Sequence, residues 1–312
     1  AGNRIDNYGT ISGDILFVGA ARNDVAQHAG AVFVGTLHCG TGQTNVAVHG
    51  GTFSGAVRGD ATNKARIGAF LDESDAVIQG TITDAVLAME AGANPSHTLW
   101  LDAATADTTI TVDEAGNLGG NLVTTSNLDL SNAQVNVLRP GTKHSIGAID
   151  TTADVVFGTE DSLEVEVAKP TDNSWISDCV RAANVVLEGN SKIHVGTELG
   201  NSRATMKQWD SFVVAAASNT MTGENLTWGR LAADRVTTGS DFLVFGAKIS
   251  GKQLLVTVSE VKPFEDRAAG ADNRSMARAL DLDKHTASGE FGRMLADMQF
   301  LTAADMNGVL DA

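Results

Sequence analysis

Residues 122–167 read LVTTSNLDLSNAQVNVLRPGTKHSIGAIDTTADVVFGTEDSLEVEV. Apolar residues alternate with polar ones in pieces such as Leu128/Leu130, Val135/Val137 and Leu163/Val165/Val167, the two-residue period of a strand with one buried face. Apolar pairs recur near 122, 129, 136, 147, 156 and 165. Turn formers separate them, as in Arg139-Pro140-Gly141. Leu128, Ile146, Leu163 and Val185 lie 17 to 22 residues apart, a spacing that fits corresponding positions on successive coils. Outward from this stretch the texture persists from Tyr8 to Val261: Val46/Val48, Leu99/Leu101, Ile110/Val112, Ile193/Val195 and Leu254/Val256/Val258 alternate likewise, with turns at Asp113-Glu114-Ala115-Gly116-Asn117 and Glu188-Gly189-Asn190. A Gly-Thr-apolar phrase returns at Gly9-Thr10-Ile11, Gly35-Thr36-Leu37, Gly51-Thr52-Phe53 and Gly80-Thr81-Ile82.

Imperfect self-similarity at this period predicts a right-handed parallel β-helix: coils of about three short strands, each too small to bury its apolar face alone and stable only when stacked. Roughly a dozen coils at ~4.8 Å would give a rod of about 55–60 Å. The rival is an antiparallel sandwich or barrel with strands every 8–12 residues. Against it stands the absence of Asn-Gly and Asp-Gly two-residue hairpin turns in this pattern.

Composition agrees. Of 312 residues, 33 are Gly, 4 Pro and 5% aromatic, while 43% are hydrophobic, so apolar bulk comes from small and β-branched side chains. That content excludes disorder. The net charge of −16, with no Lys/Arg stripe, excludes a nucleic-acid partner. No apolar run approaches the ~18 residues a membrane-spanning helix needs. Cys39 and Cys179 form no CxxC motif; they are a long-range disulfide or two buried thiols.

After Pro263 the period changes. Asp272–Leu282, Glu290–Leu301 and Ala303–Leu310 have helical spacing, with Met276 and Leu280 on one stripe and Phe291, Met294, Leu295, Met298 and Leu301 on another. Short amphipathic helices of this kind must dock against something.

The phrase Asp272-Asn273-Arg274-Ser275-Met276-Ala277-Arg278-Ala279-Leu280-Asp281 resembles the segment that follows the β-helix in classical (type Va) autotransporter passengers. Leu301-Thr302-Ala303-Ala304-Asp305-Met306-Asn307-Gly308-Val309-Leu310-Asp311-Ala312 is similar to the helix ahead of their translocation barrel. Phe212–Ala216, Asp241–Phe245 and Lys252–Val258 are similar to their closing, autochaperone-like strands. The resemblance covers about 205–312. It implies a stem at 1–204, a closing region at 205–264 and a helical linker at 265–312 that leads to the chain's own outer-membrane barrel. It also implies export to the bacterial cell surface, with retention or release by cleavage. Trp175, Trp209 and Trp228 cluster in sequence near the closing region, and burial of such rings would let it fold first and template the coils.

Catalytic signatures fail. There is no GxSxG and no HExxH; Asp14-Ile15-Leu16 lacks the serine of the lipase phrase it echoes. His38 and Cys39 are strand neighbours and point to opposite faces. Gly246-Ala247-Lys248-Ile249-Ser250-Gly251-Lys252 echoes a phosphate loop, but Gln253 replaces its Ser/Thr and a strand follows, so it reads as a turn. His28, His38 and His49 lack metal-ligand spacing. No cofactor is implied.

The acidic group Glu160, Asp161, Glu164 and Glu166 would suit polysaccharide cleavage or calcium, but no Arg or aromatic platform accompanies it, which favours a solvated face. Arg58-Gly59-Asp60, an RGD triplet in a turn-like setting, is the candidate binding site. The expectation is a non-catalytic surface protein acting in adhesion to a host cell-surface receptor, matrix protein or glycan. The alternatives are a passive stalk and a glycan-active enzyme using outer-face carboxylates.

Overall fold

The computed structural model describes all residues except 1, 20, 91–93, 95, 113–115, 132–134, 143–144, 171–173, 198–201, 203 and 312. Of the turn expected at 113–117, Asp113, Glu114 and Ala115 lie outside the described residues. The chain is a parallel β-solenoid of about six turns, with 51% of residues in strands and short helices at the C-terminal end.

Six strands stack in register as a first ladder: Asn3–Asn7, Asn23–Gln27, Thr44–Val48, Ala65–Ala69, Ala85–Met89 and Thr109–Val112. The inward stack Ile5, Val25, Val46, Ile67, Leu87 and Ile110 runs down its inner face. Opposite it, Val32–His38, Gly51–Arg58, Ala76–Thr83 and Thr98–Ala106 form a second parallel ladder, with Phe33 on Phe53 and Phe53 on Ile78 inside. The Phe33 and Phe53 rings stack at 4.4 Å between centroids. Each coil buries its apolar row only against the coils on either side, as a solenoid requires.

The long strands bend in the middle. Gly35, Gly55 and Gly80 lie one above the other in register, at φ +147, +150 and +111. A Cβ on Gly55 would lie 1.8 Å from the Gly35 carbonyl oxygen. The bend splits each long strand in two, so these coils have the expected three segments. It also sorts the repeated phrase. Gly35-Thr36-Leu37 and Gly80-Thr81-Ile82 sit at this bend, whereas Thr10 and Thr52 both register with Val32 at the start of the ladder. The phrase therefore marks two different corners.

Side-chain amides finish another corner. Asn7 Nδ2 donates to Gln27 Oε1 at 2.9 Å and Gln27 Nε2 to the Thr52 carbonyl at 3.1 Å, both side chains being buried.

Coils in the second half are longer than expected. Leu128 stacks on Val155 and Val155 on Val185, so Ile146 is not in that row, and Leu163 belongs to another, between Leu138 and Ile193. The coil step, about 20 residues in the first ladder, lengthens to 25 at Leu138–Leu163, 30 at Leu163–Ile193 and 43 at Ile193–Val236, so the chain falls short of the expected dozen coils. The first ladder stops at Thr109–Val112, where the Ser126 hydroxyl accepts the Ile110 N–H at 2.8 Å in place of a strand carbonyl. Val135 and Val137 also differ from expectation: Asn136 faces inward, fully buried, and Val135 is exposed. The Asn136 side chain accepts from Gly116 N at 3.2 Å and donates to the Leu130 carbonyl at 3.1 Å, so a polar residue takes the inward position by satisfying backbone groups.

The C-terminal end closes with antiparallel pairing. Strands Leu243–Ser250 and Gln253–Val261 form a hairpin, and the latter runs antiparallel to the first part of Ser211–Gly223. The phosphate-loop echo is this hairpin, turning at Gly251 and Lys252. Beyond Pro263 come α1 (Gly270–Asp283), α2 (Gly289–Met298) and α3 (Ala303–Leu310). They share a small core with the closing strands through Phe242, Phe264, Ala277, Leu295, Met298 and Met306. The buried Gln299 side chain accepts from Met206 N at 2.6 Å and donates to its carbonyl at 3.2 Å, tying the helices to the solenoid end. In α1 the buried position is Ala277, and Met276 is half exposed.

The tryptophans do not behave as expected. Trp175 packs partly against the core and donates Nε1 to Asp210 Oδ2 at 2.8 Å. Trp209 and Trp228, however, are 71% and 97% exposed, both at positive φ. The bulk that closes this end is Phe212 against Phe245, edge to face at 6.2 Å. Trp209→Ala is therefore expected to leave the unfolding free energy, read from denaturant curves, within about 0.5 kcal/mol of the parent. Trp228→Gly should raise stability by about 1 kcal/mol by relieving the left-handed backbone, measured by the same unfolding curves.

Candidate functional site

Arg58 ends its strand and is exposed. Gly59 N donates to the Thr83 carbonyl at 2.8 Å, and a Cβ on Gly59 would lie 1.8 Å from the Asp84 carbonyl oxygen, so its glycine is required by close packing. Asp60 Oδ1 accepts from Thr62 N at 3.0 Å and Asn63 N at 3.2 Å, an Asx-type cap that fixes the turn. The triplet thus forms one corner of the third coil: an exposed guanidinium followed by a carboxylate with one oxygen held in its own turn.

The acidic group separates into different environments. Glu160 pairs with Lys192 at 2.5 Å at the surface. Asp161 is fully buried; its Oδ1 accepts from Asn136 N at 2.8 Å and its Oδ2 from Gly158 N at 2.6 Å. Burial raises its pKa against those hydrogen bonds. Glu164 pairs with Arg139 at 2.6 Å, and Arg139 also donates to Thr98 Oγ1 at 2.7 Å. Trp100, Arg139, Glu164 and Asp178 line a cleft of about 230 Å³. The premise that no Arg or aromatic ring accompanies these carboxylates is thus corrected: both arrive from neighbouring coils through the register Trp100–Gly119–Arg139.

Asp178 is buried in that cleft wall, with Oδ1 accepting from Gly147 N and Oδ2 from Glu166 N, both at 2.8 Å. Burial, with the Glu166 charge adding to it, pushes its pKa up to about 7, although the two N–H donors oppose the shift. The folded state then holds a proton that the unfolded chain has already released between the ordinary carboxylate value and about 7. Stability from this group is present at low pH and is lost as pH rises through that window. Melting of the parent is expected to fall more steeply from pH 5 to pH 8 than melting of Asp178→Asn, which has no proton to lose.

His28 and His49, spaced without a metal pattern, are brought together by the coil register. Tyr8, His28, His49 and Phe70 stack in one ring ladder, with centroids 3.9, 5.1 and 5.2 Å apart. Glu73 accepts from Ala29 N at 2.7 Å and meets His28 Nδ1 at 2.9 Å, and these contacts hold its carboxyl below the ordinary range. Asp72 meets His49 Nδ1 at 2.7 Å; its carboxyl is lowered even though partial burial pushes the other way. No group of three His, Cys, Asp or Glu residues arranged to hold a metal ion occurs among the described residues. Cys39 and Cys179 are free and buried, and burial pushes both thiols up to about 11.

Beside the ring ladder, on the outer face of the first ladder, lies a groove of about 500 Å³. Three ion pairs line it: Arg4–Asp6 at 2.8 Å, Arg22–Asp24 at 3.0 Å and Arg66–Glu90 at 3.0 Å. Asn45 donates to Asp24 at 2.8 Å, and this bond, followed by the Arg22 guanidinium, holds Asp24 below the ordinary carboxylate range. Sequence reading passed over these residues because the pairs Arg4–Asp6 and Arg22–Asp24 look like ordinary outward charges within single coils. The signal was the recurrence of Arg4, Asp24, Asn45 and Arg66 at intervals of about one coil.

The fold and these faces define a parallel β-solenoid protein. The chain matches no known family model and no curated protein.

Proposed function

We propose that the chain is the C-terminal part of an autotransporter-type passenger, a bacterial cell-surface rod acting in adhesion. The observation that carries this reading is the order of parts: parallel coils, an antiparallel closing hairpin, then three short helices docked on the closed end. That is the order the sequence resemblance over 205–312 implies. The long outer faces of a solenoid suit contact with extended receptors, matrix proteins or glycans. A non-catalytic role is supported by the carboxylates around 160–178: Glu160 and Glu164 are paired with cations, and Asp161 and Asp178 are engaged by backbone N–H groups. The chain, placed between an export leader and a translocation barrel in a Gram-negative host, is expected to reach the cell surface as a protease-resistant rod. Retention in the periplasm with the barrel correctly inserted would contradict the reading.

A further inference from the structure

Strands in register present every second residue on the same face, so the outward side chains of the first ladder form parallel rows along the solenoid axis. One row is Arg4, Asp24, Asn45 and Arg66. The next begins at Asp6 and continues through Ala26, Ala47 and Gly68, a floor with little side-chain relief beyond Asp6. The far wall is His49 and Phe70 of the ring ladder. Over Gly68 the Glu90 side chain and the Phe70 ring close in, since a Cβ there would lie 2.9 Å from Glu90 Cγ and 3.2 Å from Phe70 Cε2, so the open floor is Ala26 and Ala47. From Asp6 in the first coil to Glu90 in the fifth, four coil steps of ~4.8 Å give a groove about 19 Å long.

Three properties narrow the ligand. First, three arginines face three carboxylates, so the groove carries no net charge although the chain carries −16. Neither a polyanion nor a polycation gains from it. Second, the strands Asn23–Gln27, Thr44–Val48, Ala65–Ala69 and Ala85–Met89 are each paired on both edges. Their backbone groups are spent, and a peptide cannot join as an added strand. Third, the polar groups offered are planar, pre-paired guanidinium, carboxylate and amide groups, which set donors beside acceptors at coil spacing. Adjacent hydroxyls match such groups, while the apolar C–H faces of a sugar ring rest on a floor of alanine.

We propose that this groove binds an extended, uncharged polysaccharide running along the solenoid axis across the first five coils. The inference deepens the adhesive reading by naming a ligand class and rests on it for its biological purpose. Its test uses only the purified chain, so its failure is separable from failure of export or of cell binding.

The test is affinity electrophoresis of the full chain through gels containing soluble β-glucan, glucomannan, galactomannan or dextran, beside gels containing heparin or polygalacturonate. At least one neutral polymer is expected to retard the chain saturably, and the two anionic ones are not. Ala47→Arg, which fills the floor from an outward position, should weaken retardation tenfold or more with an unchanged circular dichroism spectrum. Arg66→Ala, a change at an exposed side chain, should weaken it severalfold and guards against misfolding of the first variant. Oligosaccharides of the retarding polymer should gain affinity with length until the groove is spanned, at about four or five sugars. Retardation by none of the neutral polymers, preference for an anionic one, or retardation unchanged in both folded variants would each overturn the proposal.

Discussion

Gly55→Ala is expected to cost about 3 kcal/mol or more, enough to leave much of the chain unfolded at moderate temperature. Backbone in this region of φ is nearly exclusive to glycine and costs about 1–3 kcal/mol for another residue. Here φ is +150, and the added methyl would also meet the Gly35 carbonyl oxygen at 1.8 Å. That oxygen belongs to the coil beneath, so the clash can be relieved only by parting two coils and loosening the Phe33–Phe53 contact between them. Gly13 stands at the same corner of the first coil with φ +115, but a Cβ there meets nothing within 4 Å. Gly13→Ala should therefore cost only the backbone term. Urea unfolding of the two variants separates the effects, and equal losses would show that coil stacking at this corner is looser than described.

The second large effect is at Asp161. Asp161→Ala should cost about 3 kcal/mol, because two buried backbone N–H groups, of Asn136 and Gly158, lose their acceptors at about 1–3 kcal/mol each. Asp161→Asn retains one carbonyl oxygen and should lose roughly half as much. Removal of a buried carboxylate whose pKa is raised also relieves a desolvation cost, which keeps the net figure below the sum of the two bonds. Glu160→Gln, one residue away at a surface pair, should melt like the parent. A neutral Asp161→Ala would mean that water or a rearranged turn satisfies those donors.

These two residues also show what sequence can and cannot reveal about a solenoid. Inward alternation was legible wherever the inward residues were apolar, as at Leu163, Val165 and Val167, all buried. It misled at Val135 and Val137, where Asn136 turns inward to bond Gly116 and Leu130. The bend at Gly55 escaped the Gly-Thr-apolar phrase because Ala56 occupies the threonine position, although Gly55 shares its register row and positive φ with Gly35 and Gly80. Trp209 and Trp228 looked like core because of their size, whereas aromatic closure comes from Phe212, Phe245, Phe242 and Phe264.

The helices were legible in position, since their 3.6-residue period is local. Their buried faces were legible only in part, because these depend on docking partners far away in sequence. The groove was least visible. Its wall and floor are assembled from residues about twenty apart, and none of them carries a motif by itself.

A rod that binds a surface differs from one that merely spaces one part of a protein from another in a single readout. The most direct measurement is binding of the purified chain to cultured animal cells and to immobilised matrix proteins, beside Asp60→Glu and Ala47→Arg variants. Saturable binding is expected of the proposed adhesive rod, lost in Ala47→Arg if the groove engages surface glycan and lost in Asp60→Glu if the Arg58-Gly59-Asp60 corner is read instead. Absence of saturable binding to every cell and matrix surface, with the rod folded, would contradict it and leave a passive stalk.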